Sequence, residues 1–120
     1  MKYATLIISI LIIIAVLIPG GDLPDVHIGG YDKVIHIMMF AAWAVGVRFD
    51  FDRTPFPYGW FFLLGVVFSA VSELLQLLVE GRSLDMYDMA ADTAGLVAGF
   101  WISGPIVRLL NKLLGRTEAP

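Results

Sequence analysis

Nine polar residues in this chain have the types and spacing to do chemistry: Asp32, Lys33, His36, Glu73, Gln76, Arg82, Asp85, Asp88 and Asp92. They lie in or beside stretches that are otherwise apolar. Asp32 and His36 are four residues apart, with Lys33 three before His36, so on a helix they share a face. Glu73 and Gln76 are three apart, and Asp85, Asp88 and Asp92 form a stripe at spacings of three, four and seven. Five carboxylates against Lys33 and Arg82 leave the group near −3 with His36 neutral (2 − 5). Carboxylates crowded into a poorly solvated place cannot all stay ionised. A bound cation or a positive ligand group balances them, or some hold a proton. Glu73, Asp88 and His36 are therefore the candidate acid/base residues, the kind of group whose environment catalysis tunes. Asp32, Lys33, Gln76, Arg82, Asp85 and Asp92 are the candidate ligand contacts. No residue is marked as a metal ligand by motif and no cofactor is expected, although carboxylate oxygens can accept a divalent cation. His36 could serve as a ligand, a proton shuttle or a salt-bridge partner of Asp32.

Plainer readings exist for part of this set. Asp32 and Asp85 stand at predicted helix starts, where a carboxylate caps free N–H groups and suits the helix dipole. Lys33 and Arg82 could pair with acids and reach toward water along their own stems. Capping does not account for Glu73, Asp88 and Asp92, which fall one to two turns inside apolar segments.

The elements that must position these residues are four apolar spans, about 3–18, 32–48, 58–79 and 86–110. The chain has 120 residues, 58% hydrophobic and 16% charged, well away from the soluble average of about 25% charged. Roughly 20 residues cross the hydrocarbon core of a bilayer, so four spans with short loops use nearly the whole length as one domain, 1–120. The fold class expected is all-α, a four-helix antiparallel transmembrane bundle. Pro19-Gly20-Gly21 stops the first span. That span is long for a signal-peptide core and lacks an A-x-A-like cleavage site, so it is read as a retained helix. Arg48–Pro57 is read as a loop, and Glu80-Gly81-Arg82-Ser83 as a tight turn that makes spans three and four a hairpin.

Lysine and arginine set the orientation. With the N-terminus inside, the inner segments hold Lys2, Arg48, Arg53, Arg108, Lys112 and Arg116, and the outer ones only Lys33 and Arg82. Both termini are thus expected in the cytoplasm and the nine polar residues at the outer face. Tyr31 and Tyr87 fall at one boundary, and Tyr3, Tyr58 and Trp60 at the other, as in aromatic belts. In the hairpin, Glu73 and Asp92 meet about 10 Å below the turn, at 1.5 Å per residue. Ala91, Gly95, Gly99 and Ser103 recur every four residues, a small-residue seam for close helix packing. Gly65, Ser69 and Glu73 do the same on span three, with Ser72 beside them. Met38, Met39 and Trp43 are read as core or lipid-facing residues.

The order Asp32-Lys33-x-x-His36, Glu73-x-x-Gln76, then Arg82, Asp85, Asp88 and Asp92, then Gly95 and Gly99 resembles the VanZ-like family of small membrane proteins. The resemblance covers roughly 32–99. The family pattern often has asparagine near the position held here by Asp92, so this chain adds a negative charge there. The resemblance implies a four-helix integral membrane protein of the bacterial cytoplasmic membrane. The family's namesake is associated with resistance to the glycopeptide teicoplanin, which carries an acyl tail and acts on cell-wall precursors outside the membrane.

Three functions stay open at this level. One is an outward pocket for an amphiphilic or cell-wall-related ligand, with Lys33 and Arg82 suited to an anionic headgroup. Another is an outer-leaflet enzyme with Glu73 or Asp88 as base, His36 as shuttle and Arg82 stabilising negative charge; neither a nucleophile elbow nor H-E-x-x-H is present. The third is a non-enzymatic subunit of a membrane complex or a minimal ion pathway. A through-going path is disfavoured, because the first span carries no charge and the inner halves of the others show no polar ladder. The partners expected are the lipid bilayer and a lipid-linked or cell-wall-related ligand. The absence of basic runs argues against nucleic acid, and the absence of cysteine excludes disulfide and thiolate chemistry.

Overall fold

The computed structural model describes residues 3–17, 31–52, 55–78 and 86–115, with the side chains of residues 31 and 32 outside that description. Four helices account for nearly all of it: α1 (Ala4–Leu17), α2 (Tyr31–Asp50), α3 (Tyr58–Gln76) and α4 (Met86–Leu113), with no strand among the described residues. The all-α expectation holds. Residues 80–83 lie outside the described residues, as do Ile18 and Val79 at the ends of the first and third expected spans.

α2 runs two residues beyond the expected Arg48 boundary, and the reason is tertiary. α1 has no acidic residue in its own first turn. Its free N–H groups are capped from another helix instead: Ala4 N and Thr5 N donate to the two carboxylate oxygens of Asp50, at 3.1 and 2.7 Å. α4 also outlasts its expected end at Leu110. It continues through Pro105, which removes one internal N–H.

Neighbouring directions follow from the contacts. Trp43 Nε1 donates to Ser9 Oγ at 3.0 Å while Asp50 reaches Ala4, so α1 and α2 run oppositely. Ser69 meets Asp92 while Gly65 faces Leu96, so α3 and α4 also run oppositely. α2 and α4 run the same way, side by side, and are the most closely joined pair. A Cβ on Gly95 would strike the carbonyl of Ile37, and one on Gly99 would stand 2.6 Å from the carbonyl oxygen of Ala41. The seam of small residues on α4 therefore faces α2, and only glycine permits that approach.

The middle of the bundle is aromatic and aliphatic: Phe40, Trp43, Leu96 and Phe100 are buried there, with Phe68 packed against them. Trp43 thus lies in the core, while Met38 is 65% exposed. Outward faces are apolar as well, with Leu6, Ile10, Leu11 and Ile14 on α1, Leu63, Val67, Val71 and Leu74 on α3, and Val97, Trp101 and Ile102 on α4 all exposed. Inside, Glu73, Asp92, Ser69, Ser72 and Gln76 are 2% exposed or less. A water-soluble domain distributes these types the other way round. α3 and α4 are each long and apolar enough to cross a membrane, whereas α1 is apolar but has 14 residues.

Candidate functional site

The buried polar residues near the first turns of α2 and α4 and the last turns of α3 form one connected nest. α2 contributes Lys33 and His36, three apart. α4 contributes Asp88 and Asp92, four apart, and the seam at Gly95 and Gly99 holds the two helices close enough for these side chains to meet. Lys33 Nζ donates to Asp88 Oδ1 at 2.6 Å, and His36 Nδ1 lies 2.7 Å from Asp92 Oδ1. The other imidazole nitrogen, Nε2, is 3.7 Å from Asp88 Oδ2, too long for a direct hydrogen bond. α3 closes the third side: Ser69 Oγ donates to the remaining oxygen of Asp92 at 2.7 Å, and Ser72 Oγ donates to the Ser69 carbonyl at 2.8 Å. Glu73 sits one turn beyond Ser69. His36, Glu73 and Asp92 each present one ligand atom, and these atoms all lie within 4.8 Å of one another.

Exposure falls along the nest. The Lys33 side chain is 29% exposed, that of Asp88 12%, and Asp92 has no exposed surface. The Lys33 end is thus the rim and Asp92 the floor. Gln76, one turn past Glu73 on α3, is buried, and its side-chain oxygen finds no hydrogen-bond partner among the described residues. Of the nine residues singled out by spacing, Lys33, His36, Asp88 and Asp92 are brought into direct contact, Glu73 joins His36 and Asp92, and Gln76 lies alongside on α3. Arg82 and Asp85 lie outside the described residues, and so does the side chain of Asp32. The pairing of Asp32 with His36 thus rests on a side chain outside the described residues; among the described residues His36 has Asp92 as its close partner.

Ser69 was legible only as a small residue in a packing stripe, yet it fixes the central carboxylate. Its place four residues before Glu73, on the same helical face, was the signal available. A second polar group at the opposite end was not anticipated. Arg48 Nε lies 3.3 Å from Asp52 Oδ1, Arg48 Nη1 donates to the Tyr58 hydroxyl at 2.8 Å, and the guanidinium covers the Phe56 ring at 4.6 Å. Asn111 Nδ2 reaches Asp52 Oδ2 at 3.4 Å. The two groups do not join. From Asp92 to Ser103, the next buried polar residue of α4, is roughly 16 Å along the helix, and the apolar core fills that interval.

A nest of this kind can position a ligand headgroup, exchange a proton through His36, or hold a cation. The comparisons agree with the resemblance read from the residues. Residues 3–108 match the family described as VanZ/LLP1. No curated protein and no solved structure matches the chain.

Proposed function

The chain belongs to the VanZ/LLP1 family and is a membrane protein of VanZ type; from that premise we propose that it crosses the bacterial cytoplasmic membrane four times, with both termini in the cytoplasm, and binds an amphiphilic, cell-wall-related ligand in the polar nest at the outer face. One observation carries this reading: ionisable residues from three helices are buried together beneath Lys33, in a bundle whose outer faces are apolar. Ionisable groups at membrane depth are costly and mark pathways or binding sites. An amphiphile suits both surfaces at once. Its headgroup would enter past Lys33, with Arg82 and Asp85 contributing from the adjoining segment, and its tail would lie against the exposed apolar faces. The exposed Tyr87 at one end and Tyr3, Tyr58 and Trp60 at the other suit membrane–water boundaries.

Expression in a susceptible bacterium tests the resistance form of this reading. The expected result is lowered sensitivity to teicoplanin, lost in Asp88→Asn and Glu73→Gln at equal protein level. Unchanged sensitivity on expressing the wild-type chain would remove that form. Binding of lipid-linked cell-wall precursors to the protein in nanodiscs tests the broader one, and wild-type protein that retains none of them rejects it.

A second reading draws on one contact. Asp92 holds the His36 ring by Nδ1 and leaves Nε2 turned toward Asp88, an orienter-and-base arrangement. In that reading His36, Glu73 and Asp88 are the catalytic residues of an outer-leaflet enzyme. Conversion of a lipid-linked substrate by wild type and not by His36→Gln is the expected result; no product from wild-type protein across envelope lipids rejects it.

A further inference from the structure

We propose that the floor of the nest binds a divalent transition-metal ion, with His36, Glu73 and Asp92 as its protein ligands. The proposal rests on the reading above only for access, since the ion must enter from water at the Lys33 rim.

The three residues come from three different helices, α2, α3 and α4, and each is at least nine-tenths buried. Their ligand atoms lie within 4.8 Å of one another. Two carboxylates and an imidazole placed together away from water are a donor set that a cation balances. One nitrogen with two carboxylate oxygens suits zinc, cobalt or manganese, whereas magnesium and calcium prefer oxygen alone. Ligands bound at about 2.0–2.2 Å stand roughly 3–3.5 Å apart. The widest separation in the cluster, at most 4.8 Å, would thus contract by up to about 1.3–1.8 Å, and the 2.7 Å contact between His36 and Asp92 would open by a few tenths as the ion replaces the proton between them.

Two further observations point to a ligand here. Ser69 already orients Asp92 through its second oxygen, the role an outer-shell donor plays around a metal-bound carboxylate. Gln76, one turn from Glu73 on the same face of α3, is 2% exposed, and its side-chain oxygen has no hydrogen-bond partner among the described residues. A bound cation would give this oxygen the partner it lacks. The second polar group differs in its carboxylates: backbone N–H groups take up Asp50, Arg48 takes up Asp52, and no three ligand atoms converge there among the described residues. Three protein ligands leave coordination positions open for water or for an anionic group of the amphiphile.

Cobalt(II) is the probe, titrated into the full chain in nanodiscs and followed by its visible absorption, with zinc(II) as competitor and bound metal counted after desalting. The expected result is one cobalt per chain, displaced by zinc and not by an equal concentration of magnesium or calcium. Glu73→Gln and Asp92→Asn should abolish binding, Ser69→Ala should weaken it by about 10–100-fold, and Asp50→Asn should leave it intact. Matching helical circular dichroism and a single size-exclusion peak establish that each variant is folded. Folded wild-type protein that takes up no cobalt or zinc overturns the proposal, and this measurement needs no variant. Binding that survives both Glu73→Gln and Asp92→Asn overturns it equally. Stoichiometric cobalt in a protein that retains no lipid-linked precursor supports the metal site and rejects the ligand reading; precursor binding without metal uptake does the reverse.

Discussion

The two ends of the bundle use the same residue types for different ends. At the end holding Arg48, Asp50, Asp52 and Asn111, each carboxylate has a structural duty. Asp50 caps α1, and Asp52 pairs with Arg48 four residues earlier and accepts from Asn111. At the other end, Asp92 and Glu73 lie beyond the first turns of their helices, and Asp88, in the first turn of α4, pairs with Lys33 of α2. Asp92 is held by His36 of α2 and Ser69 of α3. Charge that caps a helix or pairs with a cation one turn away reads as architecture. Charge gathered from separate helices and sealed from solvent reads as a site, because assembling it has no return in local stability.

The sharpest way to break that contrast is Asp92→Ala. It leaves His36 and Ser69 buried without their partner, and should destabilise the bundle by about 3–5 kcal/mol, measured by reversible unfolding in mixed micelles. Asp92→Asn keeps the Ser69 bond and should cost far less, so a loss of function in Asp92→Asn with stability retained would separate the site from the scaffold. Next is Gly95→Ala. Its methyl group meets the Ile37 backbone, which cannot swing aside as a side chain does, and the expected loss is about 1–3 kcal/mol. Gly104→Ala, whose Cβ meets open space, is the matched control and should be near neutral; equal effects from the two would show that the α2–α4 seam does not hold the nest together.

Smaller effects belong to the other end. Asp50→Ala should remove the cap on α1 and lower stability by about 0.5–2 kcal/mol, with ligand and metal binding unchanged. Altered binding in that variant would mean that the two ends are coupled through the aromatic core. Arg48→Lys keeps the charge but gives up the planar stack on Phe56 and the fork that serves Asp52 and Tyr58 together. The expected cost is about 0.5–1 kcal/mol, read as a modest drop in thermal midpoint.

Much of the nest was legible before any coordinates. Helical spacing puts Lys33 with His36, Asp88 with Asp92, and Glu73 with Gln76, because residues three or four apart must share a face. The hairpin geometry then brings Glu73 and Asp92 to a common depth. Ser69 was harder to read, since serine every fourth residue serves packing as readily as hydrogen bonding. Local sequence places Asp50 in a loop; its partners, Ala4 and Thr5, are more than forty residues away, and no local pattern reports such a distance.

The amino-acid sequence by itself determined the helical class and the apolar outer faces, because each follows from composition and periodicity, which are local properties of the chain; the family rests on resemblance to a known order of motifs. Tertiary structure alone decided that the glycine seam of α4 lies on α2, that Asp92 is the floor shared by His36 and Ser69, and that Asp50 closes α1. Those outcomes depend on which helices are neighbours, and neighbours are chosen by how closely two backbones can approach and by which buried groups find partners there.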